Sequence, residues 1–210
     1  MTDAAEERNR DVVEERDPTA AARRRVLRER GYDTAALRAR VIECARPVAG
    51  RVLDVGTGPG RLAILLAKEG ARVTTLEFEG EGIEVARRNA AQAGVGDRIR
   101  FLRGDAARLP FPDGVFDLVA SANLIHHMGE PGRAVREMVR VCRRGGRVVV
   151  ADMTEAGLAL LAEVHAQFGG RHETGPMTLS ETMATLPSRG LAIERWEEGL
   201  LLLFRVAVLG

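Results

Sequence analysis

The sequence predicts a doubly wound α/β sheet that ends in an antiparallel hairpin. Three observations point there. From Arg51 to Met153, short apolar runs alternate with stretches of helical period, the pattern of a parallel sheet with helices on its faces. The segment GGRVVVADM is an unbroken, largely β-branched run, as expected of a strand covered on both faces. Beyond it, AIERWEEG and LLLLFRVAVL meet at Glu198-Gly199, too close together for anything but a hairpin, so one of the two runs antiparallel to the sheet.

The elements follow in order. Residues 1 to about 30 are dense in mixed charge and poor in large apolar side chains, so they are expected to carry no core. Within them, Asp17-Pro18 reads as an N-cap with proline at the first helical position and Gly31 as a stop, giving a short charged helix through Arg28. The chain thus divides into a charged helical arm, 1–33, and a folded domain, 34–210. A second helix starts at Thr34, carries Leu37, Val41, Cys44 and Ala45 on one stripe, and ends before Pro47. RVLDVG is a strand whose glycine-rich turn leads into a helix from Leu62 to Lys68, stopped by Gly70. RVTTLEF is the next strand, and Ile83 to Ala93 a helix ended by Gly94. RIRFLRGD and DGVFDLVAS are strands, and Pro131 opens a helix with Val135, Met138 and Cys142 facing inward. After GGRVVVADM, the residues Leu158, Leu161, His165 and Phe168 share a helical face, and Thr178 and Glu181 have capping-box spacing before a short helix.

Composition bounds the function. With 45% apolar and 29% charged residues, the chain can offset its ordering entropy by burial. Its 31 basic and 30 acidic residues nearly cancel, so no global field draws it to nucleic acid or an anionic membrane. No basic stripe with interleaved aromatics offers a nucleic-acid surface either. Lys68 is the only lysine, which argues against Schiff-base catalysis. Cys44 and Cys142 form neither a CxxC pair nor a disulfide framework, which fits a reducing cytoplasm. The N-terminus lacks an apolar signal core, and the longest apolar run, near Leu200 to Phe204, is too short to span a bilayer. The expectation is a soluble, cytoplasmic protein with neither a membrane nor a nucleic-acid partner.

The segment Asp54-Val55-Gly56-Thr57-Gly58-Pro59-Gly60 lies where the first strand turns into its helix, beyond the carboxyl ends of the strands, where open α/β sheets bind ligands. A dinucleotide fingerprint needs its third glycine at position 61, which is Arg61, so a nicotinamide cofactor fits poorly. Asp54 disfavours a pyrophosphate and suits a cationic ammonium. Glu77 falls 77 − 56 = 21 residues past the first glycine, at the end of the second strand, where an acid can accept both hydroxyls of a ribose. Asp105, ending the third strand, could accept a hydrogen bond from an exocyclic amino group such as that of adenine. Ammonium, ribose and adenine together describe S-adenosylmethionine.

The successive segments VLDVGTGPG, VTTLEF, FLRGDAARLPFPDGVFDLVASANLIHHM and GGRVVVADM resemble the motifs of class I S-adenosylmethionine-dependent methyltransferases, of the small single-domain methyltransferase type 11 kind, over roughly residues 35–153. The resemblance implies a Rossmann-like, seven-stranded sheet in three α-β-α layers with a terminal antiparallel hairpin. It also implies methionine on the loop Gly56, Thr57, Gly58 and Gly60 and on Asp54, ribose on Glu77, and adenine between Phe78 and Asp105-Ala106, with Asn123 and Leu124 lining the same pocket. The domain of residues 34–210 would then bind S-adenosylmethionine and release S-adenosylhomocysteine.

Methyl transfer from a sulfonium is chiefly a matter of alignment, and a base is needed only where the acceptor arrives protonated. His126 and His127 follow the fourth strand on the expected rim and are the candidate catalytic residues; loop packing is their alternative. His165 and His172 follow the fifth strand, and Glu173 adjoins His172 in the loop GGRHETGPM. Between Leu161 and Phe168, His165 reads as core-facing more readily than as a ligand. The placement motivates a hypothesis in which His126 or His127 joins His165, His172 or Glu173 around the acceptor or a metal ion. No metal is assigned; His126, His165 and His172 are the ligands such an ion would use. Tyr32 could close over the acceptor pocket, and Trp196 reads as core or sheet-edge filling. The charged arm leaves a lid or a homodimer contact open. The leading expectation is methylation of a small molecule, with the acceptor pocket built from the N-terminal helices and residues 154–190. A nonenzymatic S-adenosylmethionine-binding regulatory module and a protein methyltransferase are the alternatives.

Overall fold

The computed structural model describes residues 19–209, so the Asp17-Pro18 helix start lies outside the described residues. The sheet contains β1 (Arg51–Val55), β2 (Arg72–Glu77), β3 (Ile99–Arg103), β4 (Phe116–Ala122), β5 (Cys142–Met153), β6 (Leu191–Glu198) and β7 (Leu201–Val208), in the order β3-β2-β1-β4-β5-β7-β6. β1 to β5 are parallel, and β7 runs antiparallel to both β5 and β6, as the hairpin requires. The helices are α1 (Ala20–Glu29), α2 (Thr34–Ala45), α3 (Arg61–Lys68), α4 (Gly80–Gln92), α5 (Pro131–Val141), α6 (Glu155–Gln167) and α7 (Leu179–Ala184). Among the described residues, no helix is long and apolar enough to cross a membrane.

Successive strand residues point to opposite faces, and the core divides accordingly. Val52, Leu118, Ala120, Val149 and Leu203 pack with α1 to α4 and α6. Leu53, Val119, Val148, Val150 and Phe204 pack with α5 and α7. This is the Rossmann-like three-layer arrangement. The outer strand β6 is largely exposed and carries Glu194, Arg195, Glu197 and Glu198, charges that discourage edge-to-edge pairing. Trp196 on that strand is half-buried beneath the Arg40 guanidinium, 4.6 Å from the ring centroid.

Three local expectations need correction. The first concerns the arm. Leu27 and Tyr32 are buried in the main core, and the Arg30 guanidinium pairs with both carboxylate oxygens of Glu163 on α6, at 2.7 and 2.9 Å. Within the described residues, the boundary at 33 is therefore no structural divide; charge density hid the two side chains that anchor the segment. The second correction rotates α6. Its buried residues are Gly157, Leu160, Leu161 and Val164, while Leu158 and His165 are half-buried and Phe168 is exposed. Gly157 explains the rotation, because a Cβ there would stand 2.9 Å from Met153 Cβ and 3.1 Å from Leu200 O. The helix seats through a residue that contributes nothing to an apolar period. The third is Cys142, which is buried but begins β5 in extended conformation, with α5 ending at Val141.

Arg140 on α5 ties down the β3–β4 connection. Its guanidinium donates to Leu109 O at 3.1 Å, Phe111 O at 2.9 Å and Asp113 Oδ1 at 2.7 Å, and it pairs with Glu137. Glu137 Oε2 in turn accepts the Leu109 N–H at 2.9 Å. Arg140→Ala removes the side-chain donor to Phe111 O and one of the two donors to Leu109 O, which still accepts the Phe111 N–H, and leaves the half-buried Glu137 without its cation. It is expected to cost about 1–3 kcal/mol in urea unfolding. A loss below about 0.5 kcal/mol would mean that solvent replaces these bonds at no net cost.

Candidate active site

The turn after β1 is shaped by glycines in the left-handed region: Gly56 at φ +88°, Gly58 at +48° and Gly60 at +86°. The Gly56 and Thr57 N–H groups both donate to Leu76 O, at 3.0 and 3.2 Å, which holds the turn against the tip of β2. Beneath it runs a fully buried polar chain. Thr75 Oγ1 donates to Asp54 Oδ2 at 2.7 Å, so its contact of 2.6 Å with Thr57 Oγ1 is one in which Thr57 donates. Asp54 has no exposed surface, and its Oδ1 has no hydrogen-bond partner. Burial raises its carboxyl from the ordinary range to about 7.

Glu77, at the tip of β2, closes the turn from the solvent side. Its Oε2 accepts the Gly58 N–H at 2.8 Å and its Oε1 accepts its own Phe78 N–H at 2.8 Å. Oε1 also accepts the Glu79 N–H at 3.4 Å, so Oε2 is the oxygen that keeps a lone pair for a further donor. Phe78 is 69% exposed, a large apolar ring facing solvent beside this carboxylate. Asp105 accepts the Ala107 N–H at 2.8 Å and so caps the short turn Ala106–Arg108.

At the end of β4, Asn123 is a non-glycine residue at φ +56°, and its Oδ1 accepts the Tyr32 hydroxyl at 2.6 Å. Burial raises the Tyr32 phenol well above its usual value, so it stays a neutral donor. The Leu124 side chain covers Gly56, where a Cβ would meet both Leu124 methyls at 3.0 Å. The glycine therefore serves packing as well as dihedral freedom.

All four histidines of the chain meet in one cluster. Ring centroids are 4.0 Å apart for His126 and His127, 4.9 Å for His127 and His172, 5.3 Å for His126 and His172, and 4.7 Å for His165 and His172. His126 is buried and donates from Nδ1 to Asp152 Oδ1 at 2.5 Å, while its backbone N–H donates to Asp152 Oδ2 at 3.1 Å. Asp152 Oδ1 also accepts the Met153 N–H at 2.8 Å, so this carboxylate is locked in place. Burial, helped by neighbouring imidazoles, pushes both His127 and His172 down to about 4, leaving them neutral at physiological pH. The loop that carries His172 is anchored by the Gly175 N–H, which donates to His126 O at 2.7 Å.

These groups border a cleft of 440 Å³ at the carboxyl ends of the strands. Of the expected site residues, the structure brings Gly58, Glu77, Tyr32, Asn123, His126, His127, His165 and His172 to its walls. His165 is thus a cleft residue, correcting the core-facing reading. Asp54 lies beneath the turn and not on the cleft surface, and Glu173 is exposed and outside the histidine cluster. The sequence reading missed Asp152, the single acid of β5, and Gly82, whose Cβ would crowd Glu77 Cγ at 3.3 Å. A wider depression of 890 Å³ lies at the opposite end of the sheet, lined by Arg51, Arg72 and Arg100 and remote from all these groups.

Residues 53–150 match the family described as Methyltransferase domain. These residues belong to the class I methyltransferases. The chain is 35% identical over 153 residues to 27-O-demethylrifamycin SV methyltransferase of Amycolatopsis mediterranei, spanning 70% of this chain and 56% of that protein. It is 36% identical over 116 residues to demethylmenaquinone methyltransferase of Clavibacter sepedonicus, spanning 55% of this chain and 46% of that one. The chain therefore spans about half the length of these curated relatives. A solved structure from Methanococcus maripaludis, described as an S-adenosyl-L-methionine-dependent methyltransferase, superposes with TM-score 0.67 at 20% identity, covering 98% of this chain and 91% of that one. That likeness shows the shared fold.

The raised Asp54 carboxyl makes the methyltransferase fold pH-dependent with a definite sign. Because its folded value, about 7, exceeds its unfolded one, the contribution is intact below about pH 4 and is lost as pH rises from about 4 to 7. The full loss is on the order of 4 kcal/mol. Asp54→Asn should remove that component, so Tm measured from pH 5 to pH 8 falls less in the variant than in the parent. Identical Tm profiles for the two would show that Asp54 is ionised in both states.

Proposed function

We infer that the protein transfers a methyl group from S-adenosylmethionine to a small-molecule acceptor in the cytoplasm. The observation that carries this reading is the Glu77–Gly58 contact: a carboxylate bonded to the N–H of a left-handed glycine, both lining one cleft. An adenosyl sulfonium fits the residues present. Glu77 retains acceptor capacity for ribose hydroxyls. The glycine turn admits close backbone approach, and a Cβ on Gly58 would meet no atom within 4 Å. Asp54, only about half ionised near neutral pH, lies beneath the turn with one oxygen unpaired and gains charge if a cationic ammonium approaches. Asp105-Ala106 with Phe78 would take the adenine, and Asn123 and Leu124 would complete the pocket.

When bound, S-adenosylmethionine supplies a methyl group already activated on sulfur. The protein's own contribution is alignment and, where required, removal of a proton. Tyr32 holds Asn123 in its left-handed conformation and closes the cleft from the N-terminal side. Asp152 fixes His126 with Nδ1 protonated, so Nε2 is the ring atom left to accept a proton from an acceptor. His127, a neutral imidazole beside it, is the second candidate base. The acceptor would lie among α1, α6 and the His172 loop, since Leu27, Leu161 and His172 line the same cleft as Glu77. Two of the relatives are named for a rifamycin and for demethylmenaquinone, which supports a small acceptor here.

Calorimetry tests the cofactor reading. Glu77→Ala should weaken S-adenosylmethionine binding by roughly 1–3 kcal/mol, or about 5- to 150-fold in Kd. An unchanged Kd would reject Glu77 as the ribose acceptor. Release of S-adenosylhomocysteine with a panel of small hydroxylated and aminated acceptors should exceed that of the protein alone. Tight cofactor binding with no product from any small molecule or peptide would instead favour a regulatory binding module.

A further inference from the structure

Three imidazoles converge in the cleft in a way that base catalysis alone does not require. His126, His127 and His172 can each present a ring nitrogen such that all three lie within 4.8 Å of one another. We propose that these three residues form a binding site for one divalent transition-metal ion of the zinc class, at the acceptor end of the cleft.

Four observations support the site. First, the residues come from two separate segments, and the Gly175 N–H bonded to His126 O holds the His172 loop against the His126–Met128 backbone. Gly175 permits that approach: a Cβ there would stand 2.1 Å from Met128 O. Second, His126 is oriented through Nδ1 by a buried carboxylate that is itself held by two backbone N–H groups. This is the outer support that metal-bound histidines characteristically have, and it leaves Nε2 as the donor. Third, His172 Nε2 is buried without a hydrogen-bond partner. Fourth, the set is all nitrogen, which selects zinc and its neighbours over magnesium or calcium.

Zinc–nitrogen bonds of about 2.0–2.1 Å place tetrahedral ligand atoms ~3.4 Å apart, so the rings must draw together by up to about 1.5 Å. His172 can supply most of that movement, being half-buried on a loop, whereas His126 is fixed by Asp152. Three protein ligands leave a fourth position for water or an acceptor oxygen. The ion site rests on the geometry of the histidines alone; its use for the acceptor rests on the methyl-transfer reading above.

The test uses the full chain, stripped with chelator and titrated with Zn2+ by calorimetry and with Co2+ by visible absorption. Saturable uptake of one ion per chain is expected, with the intense visible band of low-coordinate Co2+. His127→Ala and His172→Ala should each weaken uptake at least 100-fold, and Asp152→Asn 10- to 100-fold. Thermal unfolding without metal reports whether each variant is folded, with His172→Gln used where alanine is not. No saturable uptake would overturn the proposal, as would uptake that survives in the folded His127→Ala/His172→Ala double variant. S-adenosylhomocysteine affinity of the metal-free protein reports separately on Glu77 and the glycine turn. Failure of metal uptake with that affinity intact thus leaves methyl transfer standing, and loss of cofactor affinity with metal uptake intact does the reverse.

Discussion

The hydroxyl chain from Thr57 through Thr75 to Asp54 is the constraint on which the rest of the site depends. It joins the glycine turn to β1 and β2 from below, with no solvent to exchange for any of its bonds. A buried carboxylate is costly, and the unpaired Oδ1 of Asp54 makes it more so. The benefit is positional. With Thr57 committed as a donor, the turn cannot lift from the sheet without breaking a buried bond, and Glu77 restrains it again from the outside through Gly58. A loop with three left-handed glycines would otherwise be the most pliable part of the domain.

The same device recurs along the carboxyl edge of the sheet. β1 carries Asp54, β2 Glu77 and β5 Asp152, Asn123 follows β4 directly, and every one spends part of its hydrogen-bonding capacity on a backbone or side-chain group of the protein. Each strand tip is thereby rigid before any ligand arrives, and what capacity remains determines what a ligand can find there. Glu77, on the cleft wall, keeps a lone pair on Oε2, whereas Asp105 uses an oxygen to cap the Ala106–Arg108 turn. Preorganisation of this kind lowers the ordering cost of binding.

How much of this was legible in the sequence follows from which signals have a period or a fixed spacing. The strand and helix order, the hairpin and the glycine turn are patterns of that kind, and Glu77 was locatable by its distance from Gly56. Other features are invisible to spacing. Gly157 seats α6 by having no side chain, so a search for apolar stripes turns the helix the wrong way. Leu27 and Tyr32 stand in a charged stretch and bury through tertiary contact alone. Asp152 is the single acid of β5, following the apolar run Val148–Ala151, and gains meaning only through a partner 26 residues away. The histidines were placed near one another by the order of the elements, but which rings face each other depends on the fold of the His172 loop.

Asp152 also links the two roles open to the histidines. By accepting the Nδ1 proton it fixes one tautomer of His126 and presents the Nε2 lone pair to the cleft, which is the requirement both of a general base and of a metal ligand. The two uses exclude each other at a given moment, since one lone pair cannot hold both a proton and an ion. A bound ion would have to assume the work of the base, lowering the proton affinity of an acceptor oxygen by its own charge. His127 and His172, kept neutral by burial, offer lone pairs under the same conditions, and the four rings therefore form one acidity-controlling wall whichever electrophile they meet.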